Sequence, residues 1–343
     1  MSINFGLGYK GSKSAIAADL IRLIPSGERF VDVFAGGCAM THAALLAGRW
    51  KSILANDIVP LPEFFVNAVK GKYKRENRWI SREDFFRLKD TDLFARYCFS
   101  FGNNGDEYMY NTKIEPYKKA CHYAIFFDQW DDMYRLCPEV VATAQAALKG
   151  KTDTKARRLA FGPAIVRKLR TLDPRVIKAN PLYSSCHKNV IARKPGSGAK
   201  YSASPESLES LESLQSLERL ERLERLQSLE SLERLQSLER LERLERLQAR
   251  QGDYREIEVR PGDVLYCDPP YKGTDGYNEA GFDHEAFYNW VAAQDVPVYI
   301  SEFWMPEDRF MCIWEKKRAS RLSQKGTEGK VSEKLFVPRR RKS

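Results

Sequence analysis

Asp268-Pro269-Pro270-Tyr271 places a carboxylate, a rigid backbone turn and an aromatic ring on four successive residues. Val264–Cys267 before it is a short apolar run, long enough for one buried strand. Prolines cannot continue a central strand, so the chain must leave the sheet at Asp268. In open α/β sheets, ligands bind just outside the carboxyl ends of the strands. Taken alone, an Asp-Pro turn followed by a core tyrosine explains these residues equally well. A second group lies far upstream. Gly36 and Gly37 lack a Cβ and let the backbone approach a ligand closely. Asp57 follows Gly36 by 21 residues, the spacing of a carboxylate that accepts from ribose hydroxyls at the tip of the next strand. Ordinary turn and N-cap roles remain the plain alternatives for these three.

These groups need strands and helices to hold them. Ala15, Ile16, Leu20, Ile21 and Leu23 form a helical stripe ended by Pro25. Arg29–Gly37 reads as a strand running into a glycine turn, Met40–Leu46 as a helix, and Ser52–Asp57 as a strand ending in an acid. Strand, glycine turn, helix, strand, acid is the opening of a doubly wound, mostly parallel Rossmann-like sheet. Further on, Ile257–Val259 and Val296–Ser301 read as strands, and Asp283 caps a helix whose Phe287, Trp290 and Val291 face the core. Ser301 and Glu302 stand at the carboxyl edge of their strand. The glycine-rich stretch 274–282 suits a loop over a substrate.

Gly8-Tyr-Lys-Gly-Ser-Lys13, Phe30-Val-Asp-Val-Phe-Ala-Gly-Gly37, Asn56-Asp57 and Asp268-Pro-Pro-Tyr271 occur in that order. Phe99-Ser-Phe-Gly-Asn-Asn104, Ile114-Glu-Pro-Tyr117, Tyr299-Ile-Ser-Glu-Phe303 and Glu333-Lys-Leu-Phe336 accompany them. Together they resemble the DNA adenine methyltransferases of the Dam type, especially phage and prophage members, over most of the chain outside 195–250. The resemblance implies a methyl transfer from S-adenosyl-L-methionine to N6 of a flipped adenine in double-stranded DNA. Asp268, Pro269, Pro270 and Tyr271 are then the catalytic residues. The cofactor residues it implies are Tyr9 (where many relatives carry Trp), Lys13, Asp32, Phe34, Ala35, Gly36, Gly37, Asp57, Asp253, Tyr254 and Asp268. N4-cytosine methylation is the alternative chemistry, although Ser-Pro-Pro-Tyr is more usual there. A non-catalytic DNA-binding or decoy protein is the alternative of another class. A cytosine C5 enzyme needs a Pro-Cys nucleophile, which Tyr266-Cys267-Asp268 does not provide.

The net charge of +10 suits a polyanionic partner. Residues 151–200 hold thirteen Lys/Arg against two Asp, with Lys155, Arg157, Arg158, Arg167, Lys168 and Arg170 grouped around Phe161-Gly-Pro163. Cations there would neutralise phosphates, and Tyr108, Tyr110 and Tyr117 would supply faces to stack on or wedge between bases. A solvated basic face is the bland alternative. Asn103 and Asn104 sit in a turn, and the resemblance draws them toward DNA. From Leu208 to Leu247 leucine recurs at every third position, fourteen times. Composition favours helix, yet a period of three winds the leucines around an α-helix instead of lining them up. A tolerated insert and a self-association surface both remain open for it.

The expected organisation is a discontinuous catalytic domain (1–60 with 251–338), a target-recognition region (61–200), the triplet insert (201–250) and a basic tail (339–343). Four histidines, 42, 122, 187 and 284, show no ligand spacing, so no metal is expected. Seven scattered cysteines, with no C-x-x-C pair, suit a reducing cytoplasm rather than a disulfide framework. No apolar segment reads as a signal peptide or membrane span.

Overall fold

The computed structural model describes residues 5–8, 11–190, 244–271, 282–319 and 330–339. Tyr9, nearly all of the leucine run, most of the 274–282 loop and residues 340–343 of the basic tail lie outside the described residues. The chain divides into two compact units, Met1–Lys74 with Ser231–Ser343, and Arg75–Glu230.

The first unit is built on a seven-stranded sheet of order β3-β2-β1-β4-β5-β7-β6. Its strands are β1 (Gly27–Asp32), β2 (Trp50–Asp57), β3 (Leu247–Gln251), β4 (Asp263–Cys267), β5 (Val298–Glu302), β6 (Phe310–Ala319) and β7 (Lys330–Pro338). The first five run parallel, whereas β7 pairs antiparallel with both β5 and β6. The expected doubly wound, mostly parallel sheet is therefore present. Phe30, Val31, Val264, Leu265, Tyr266 and Cys267 are all buried, as the continuous apolar runs of β1 and β4 require of strands covered on both faces. Between β1 and β4 the chain's path across the sheet reverses. Such a reversal opens a crevice at the carboxyl ends of the two strands.

Helices α1 (Ala17–Leu23), α2 (Ala39–Ala47) and α3 (Leu61–Val69) belong to this unit, so the unit boundary falls after Lys74 and not at 60. A later helix, His284–Ala292, is capped as expected: the Asp283 carboxylate accepts from the Ala286 amide at 2.9 Å, and Phe287 and Val291 are buried. Two readings of the sequence need correction. Residues 257–259 form no strand among the described residues, and the neighbour of β2 is instead β3. Leu247, last leucine of the triplet run, is the buried first residue of that strand, preceded by a 3₁₀ turn at Leu244–Arg246 rather than by an α-helix.

The second unit is helical. Its elements are α4 (Arg82–Leu88), α5 (Leu93–Cys98), α6 (Glu115–Phe127), α7 (Asp131–Leu136), α8 (Pro138–Leu148), α9 (Thr154–Leu169), α10 (Pro174–Ala179) and α11 (Pro181–Val190); the helix at His284–Ala292 is accordingly α12. Met133, Val140, Val141, Ala144, Phe161, Ile165, Tyr183 and their neighbours form one apolar core between α6 and α11. No disulfide joins any of the seven cysteines. Among the described residues no helix is long and apolar enough to cross a membrane, and no group of three His, Cys, Asp or Glu is placed to hold a metal ion.

Candidate functional site

The crevice of the first unit gathers acids from three adjacent parallel strands. Asp32 ends β1, Asp57 ends β2, and Asp268 follows β4. Each strand delivers its acid because its apolar residues fix the register and the polar residue falls at the tip. Asp32 is buried, and its Oδ2 accepts from the Thr41 amide at 2.9 Å and the Thr41 hydroxyl at 2.6 Å. This ties the first turn of α2 to the end of β1. Burial, above all, pushes the Asp32 carboxyl up to about 7, the Thr41 bonds oppose the rise, and the charges of Asp268 and Asp57 add to it.

Asp57 does not cap α3. Its Oδ2 accepts from the Gly36 amide at 2.8 Å and its Oδ1 from the Val59 amide at 3.2 Å, which fastens the glycine turn to the tip of β2. Burial raises its carboxyl above the ordinary range, and the three backbone amides around it pull the other way. Gly36 adopts φ 45° and Cys38 φ 61°, the left-handed turn that brings the chain from β1 into α2. Gly37 offers its carbonyl to the Leu7 amide at 2.7 Å, so the segment around Gly6 lies over the turn. A Cβ on Gly6 would stand 2.4 Å from the Gly37 oxygen, which explains why only glycine fits there.

At Asp268 the geometry is tighter. Its Oδ1 pairs with the Lys13 ammonium at 2.9 Å, and both side chains are largely buried. The same ammonium lies 4.6 Å from the centre of the Tyr271 ring. Burial raises the Asp268 carboxyl, and Lys13 holds it back. The Tyr271 ring meets Phe303 edge-on at 4.5 Å, and its hydroxyl donates to Glu333 Oε2 at 3.0 Å. Behind it, the Tyr266 and Ser301 hydroxyls share a 2.7 Å hydrogen bond. Ser301 and Glu302 are both buried, and Glu302 Oε1 accepts from the Phe303 amide.

Phe34 and Tyr254 form an aromatic wall with ring centres 5.3 Å apart, backed by Phe287 and Trp290. The Asp253 carboxylate is engaged by the Arg255 amide and guanidinium, so Asp253 serves first as a cap of its own turn. The structure thus brings Lys13, Asp32, Phe34, Ala35, Gly36, Gly37, Asp57, Tyr254 and Asp268-Pro269-Pro270-Tyr271 into one unit. The chemistry such a site supports follows from its charge. Three convergent carboxylates balanced by one lysine suit a cationic ligand, and a carboxylate beside an aromatic ring suits an amine on a planar group.

The expected nucleic-acid residues fall in the second unit, with mixed outcomes. Asn103 is buried at φ 58°, and the Asn104 side chain accepts from the Asp106 and Glu107 amides, so both serve the turn itself. Tyr108 and Tyr110 are buried; Tyr110 stacks on Trp79 and Tyr108 donates to the Ile80 carbonyl. Tyr117 packs against the helical core. Tyr108 and Tyr110 present no open face to bases, whereas Tyr117 is only half-buried.

Arg157 donates to the carbonyls of Ala124, Ile125 and Lys151 and to the Asp128 carboxylate, closing the C-terminal end of α6. It is a structural staple, not a surface cation. Lys155, Arg167 and Arg170 are exposed, and Arg158 and Lys168 are partly so. Sequence reasoning missed Phe101, exposed to 66% at the tip of the clasp joined by Phe101 to Glu107 and Met109 to Phe99 backbone bonds. It also missed Phe303 and Glu333 as neighbours of Tyr271: both stand in segments that carry the resemblance, but nothing local ties either to Tyr271.

Residues 9–127 match the family model described as D12 class N6 adenine-specific DNA methyltransferase. A curated relative, the Retron Ec67 DNA adenine methylase of Escherichia coli, is 29% identical over 118 residues, 34% of this chain and 37% of the relative. The chain therefore spans well under half the length of that relative. Both likenesses bear out the Dam-type resemblance. The matched family segment holds the glycine turn and Asp57, and it ends before Asp268.

Proposed function

We propose that this relative of the D12 class N6 adenine-specific DNA methyltransferases transfers a methyl group from S-adenosylmethionine to N6 of a flipped adenine in double-stranded DNA. The observation that carries the reading is the convergence of Asp32, Asp57 and Asp268 at the carboxyl ends of β1, β2 and β4, beside an intact Asp268–Tyr271 turn. The residues fit the cofactor. S-adenosylmethionine carries a sulfonium and an ammonium, which the excess of carboxylate complements, and an adenosine, for which Asp57 and the Phe34–Tyr254 wall supply a diol acceptor and a flat apolar surface. When bound, the cofactor supplies an electrophilic methyl group.

The chain's own residues do the rest. Asp268 accepts an N–H of the exocyclic amine and turns the nitrogen lone pair toward the donor, with the Pro269 carbonyl as second acceptor. Tyr271 stacks on the extruded ring and offsets part of the unstacking cost of a few kcal/mol. The acid need not be a strong base, because the nitrogen becomes acidic once it carries the new methyl. Catalysis is then mainly positioning and electrostatics. The basic helical unit is the DNA-binding part of this reading, through Lys155, Arg158, Arg167, Lys168 and Arg170.

Incubation of the protein with labelled S-adenosylmethionine and duplex DNA tests the reading, with single-molecule sequencing to report the modified base and its flanks. Label at adenine N6 is the expected result. Label at cytosine N4 would move the assignment to the alternative chemistry, and no label in any duplex would favour the non-catalytic one.

The two kinds of arginine in α9 and at its C-cap, Arg170, should separate cleanly. Arg157→Met removes a staple with four acceptors, so it should destabilise the protein by about 2–4 kcal/mol, seen as an earlier thermal transition. Arg167→Ala and Arg170→Ala should leave stability within about 0.5 kcal/mol. Each should weaken DNA binding and lower the slope of log affinity against log salt by about one. Unchanged slopes in both would remove this helix from the interface.

A further inference from the structure

We propose that Glu333, 62 residues beyond Tyr271 and on a different strand, is a positioning residue that holds the Tyr271 ring for the substrate base. The inference rests on the methyltransferase reading above. Tyr271 stands directly after two prolines, which fix the backbone but leave the side-chain torsions free. Three of the contacts that set those torsions have a defined geometry. Lys13 lies 4.6 Å over the ring face, Phe303 meets the ring edge at 4.5 Å, and Glu333 accepts the hydroxyl proton at 3.0 Å.

The three contacts differ in what happens when a base arrives. Lys13 also pairs with Asp268 Oδ1 at 2.9 Å, the carboxylate that an incoming amine needs. Its hold on the ring is therefore lost or altered in the step that uses the ring. Phe303 gives an edge contact without a directional bond. The Tyr271 hydroxyl also interacts with Asp268, and that contact, like the Lys13 one, is disturbed when the carboxylate turns to the amine. The Glu333 bond is directional and stays anchored on β7 through the exchange.

The sheet makes Glu333 a rigid anchor. It sits on β7 opposite Lys316 of β6, and the next residues, Lys334 and Leu335, pair with Glu302 and Ser301 of β5. Ser301 in turn bonds the Tyr266 hydroxyl at 2.7 Å. The tyrosines on either side of Asp268 are thus both tied by their hydroxyls to the adjacent β5–β7 pair. This gives the antiparallel strand β7 a role in the site that its distance in sequence conceals.

The test uses the full-length protein and a duplex containing the methylation site found by sequencing, with 2-aminopurine replacing the target adenine for the flipping measurement. Glu333→Ala should lower kcat about fivefold to tenfold, the worth of one such hydrogen bond, and reduce the 2-aminopurine fluorescence rise. S-adenosylmethionine affinity should change by less than about twofold, since the hydroxyl contact does not belong to the cofactor residues. Glu333→Gln, whose amide oxygen still accepts, should recover most of the rate. In a Tyr271→Phe background, Glu333→Ala should add no further loss. Unchanged kcat and flipping in Glu333→Ala would overturn the proposal, as would independent multiplication of the two single effects or a Gln variant as impaired as Ala. A wild-type protein that methylates no DNA would instead sink the functional reading itself.

Discussion

Asp268→Ala is expected to abolish methyl incorporation into DNA, by at least about a thousandfold, while S-adenosylmethionine still binds. The size follows from removing a preorganised charge at the reacting nitrogen, where the loss of one such group costs a factor of about 10²–10³ and the loss of orientation adds to it. Retained, though weaker, binding follows from the separate anchoring of the other cofactor residues. Asp57 is fixed by the Gly36 and Val59 amides and Asp32 by Thr41, and neither arrangement passes through Asp268. The alanine variant has one confounding effect, because it leaves the buried Lys13 ammonium without its carboxylate. Asp268→Asn separates the two. Its amide oxygen can still receive Lys13 and its volume is unchanged, but it no longer carries the charge that polarises an amine. Equilibrium binding of the cofactor, measured beside initial rates on duplex DNA, checks both variants. Methyl incorporation by Asp268→Ala equal to wild type would remove the carboxylate from the mechanism.

The parts of the site that were legible in the sequence share one property: their chemistry and their scaffold are contiguous. β1 runs directly into Gly36, β2 ends in Asp57, and β4 ends at Asp268, so hydrophobic runs and the polar residues that terminate them are read together. Asp283 announced its helix for the same reason. The misreadings arise where a partner from elsewhere decides. Arg157 belongs to a basic cluster by composition, but the free carbonyls at the end of α6 claim it. Tyr108 and Tyr110 lie among polar residues in sequence, yet Trp79 and the Ile80 carbonyl bury them. Residues 257–259 look like a strand, but a strand needs a neighbour with free amides, and β3 has already taken the open edge of β2. Leu247 ends a helix-forming repeat and still becomes strand, because it is buried beside Ile53, where a parallel ladder is available. Tertiary demand overrides local propensity in each case.

The largest effect expected on stability concerns Asp32, and its sign is unusual for an acid. Salt-bridged carboxylates ordinarily stabilise a fold as pH rises. Asp32 is almost wholly buried and its carboxyl is pushed up to about 7, so the folded protein holds a proton there that the unfolded chain has released. Between about pH 4 and 7 the native state binds more protons than the unfolded one, and this group's contribution falls as pH rises. From 3.8 to about 7 the change is worth about 4 kcal/mol. Asp32→Asn keeps an oxygen for the Thr41 amide and hydroxyl but does not titrate. The variant should therefore gain about 4 kcal/mol relative to wild type between pH 4 and 7.5, measured by denaturant unfolding at each pH. His42 and His122, lowered by burial to about 4, contribute with the opposite sign between about pH 4 and 6.5, but they are present in both proteins and cancel in the difference. A difference that stays flat across the range would show that Asp32 is ionised throughout. The same proton links stability to the site's use. A cationic ligand beside Asp32, Asp57 and Asp268 favours their charged forms, so its binding near pH 7 should expel the Asp32 proton in wild type and release fewer protons from the Asn variant, which keeps only the other two acids. Calorimetry in two buffers of different ionisation enthalpy reads that release directly. It asks of the three acids what the rate measurements ask of Asp268 alone, namely whether they converge in order to receive a positive charge.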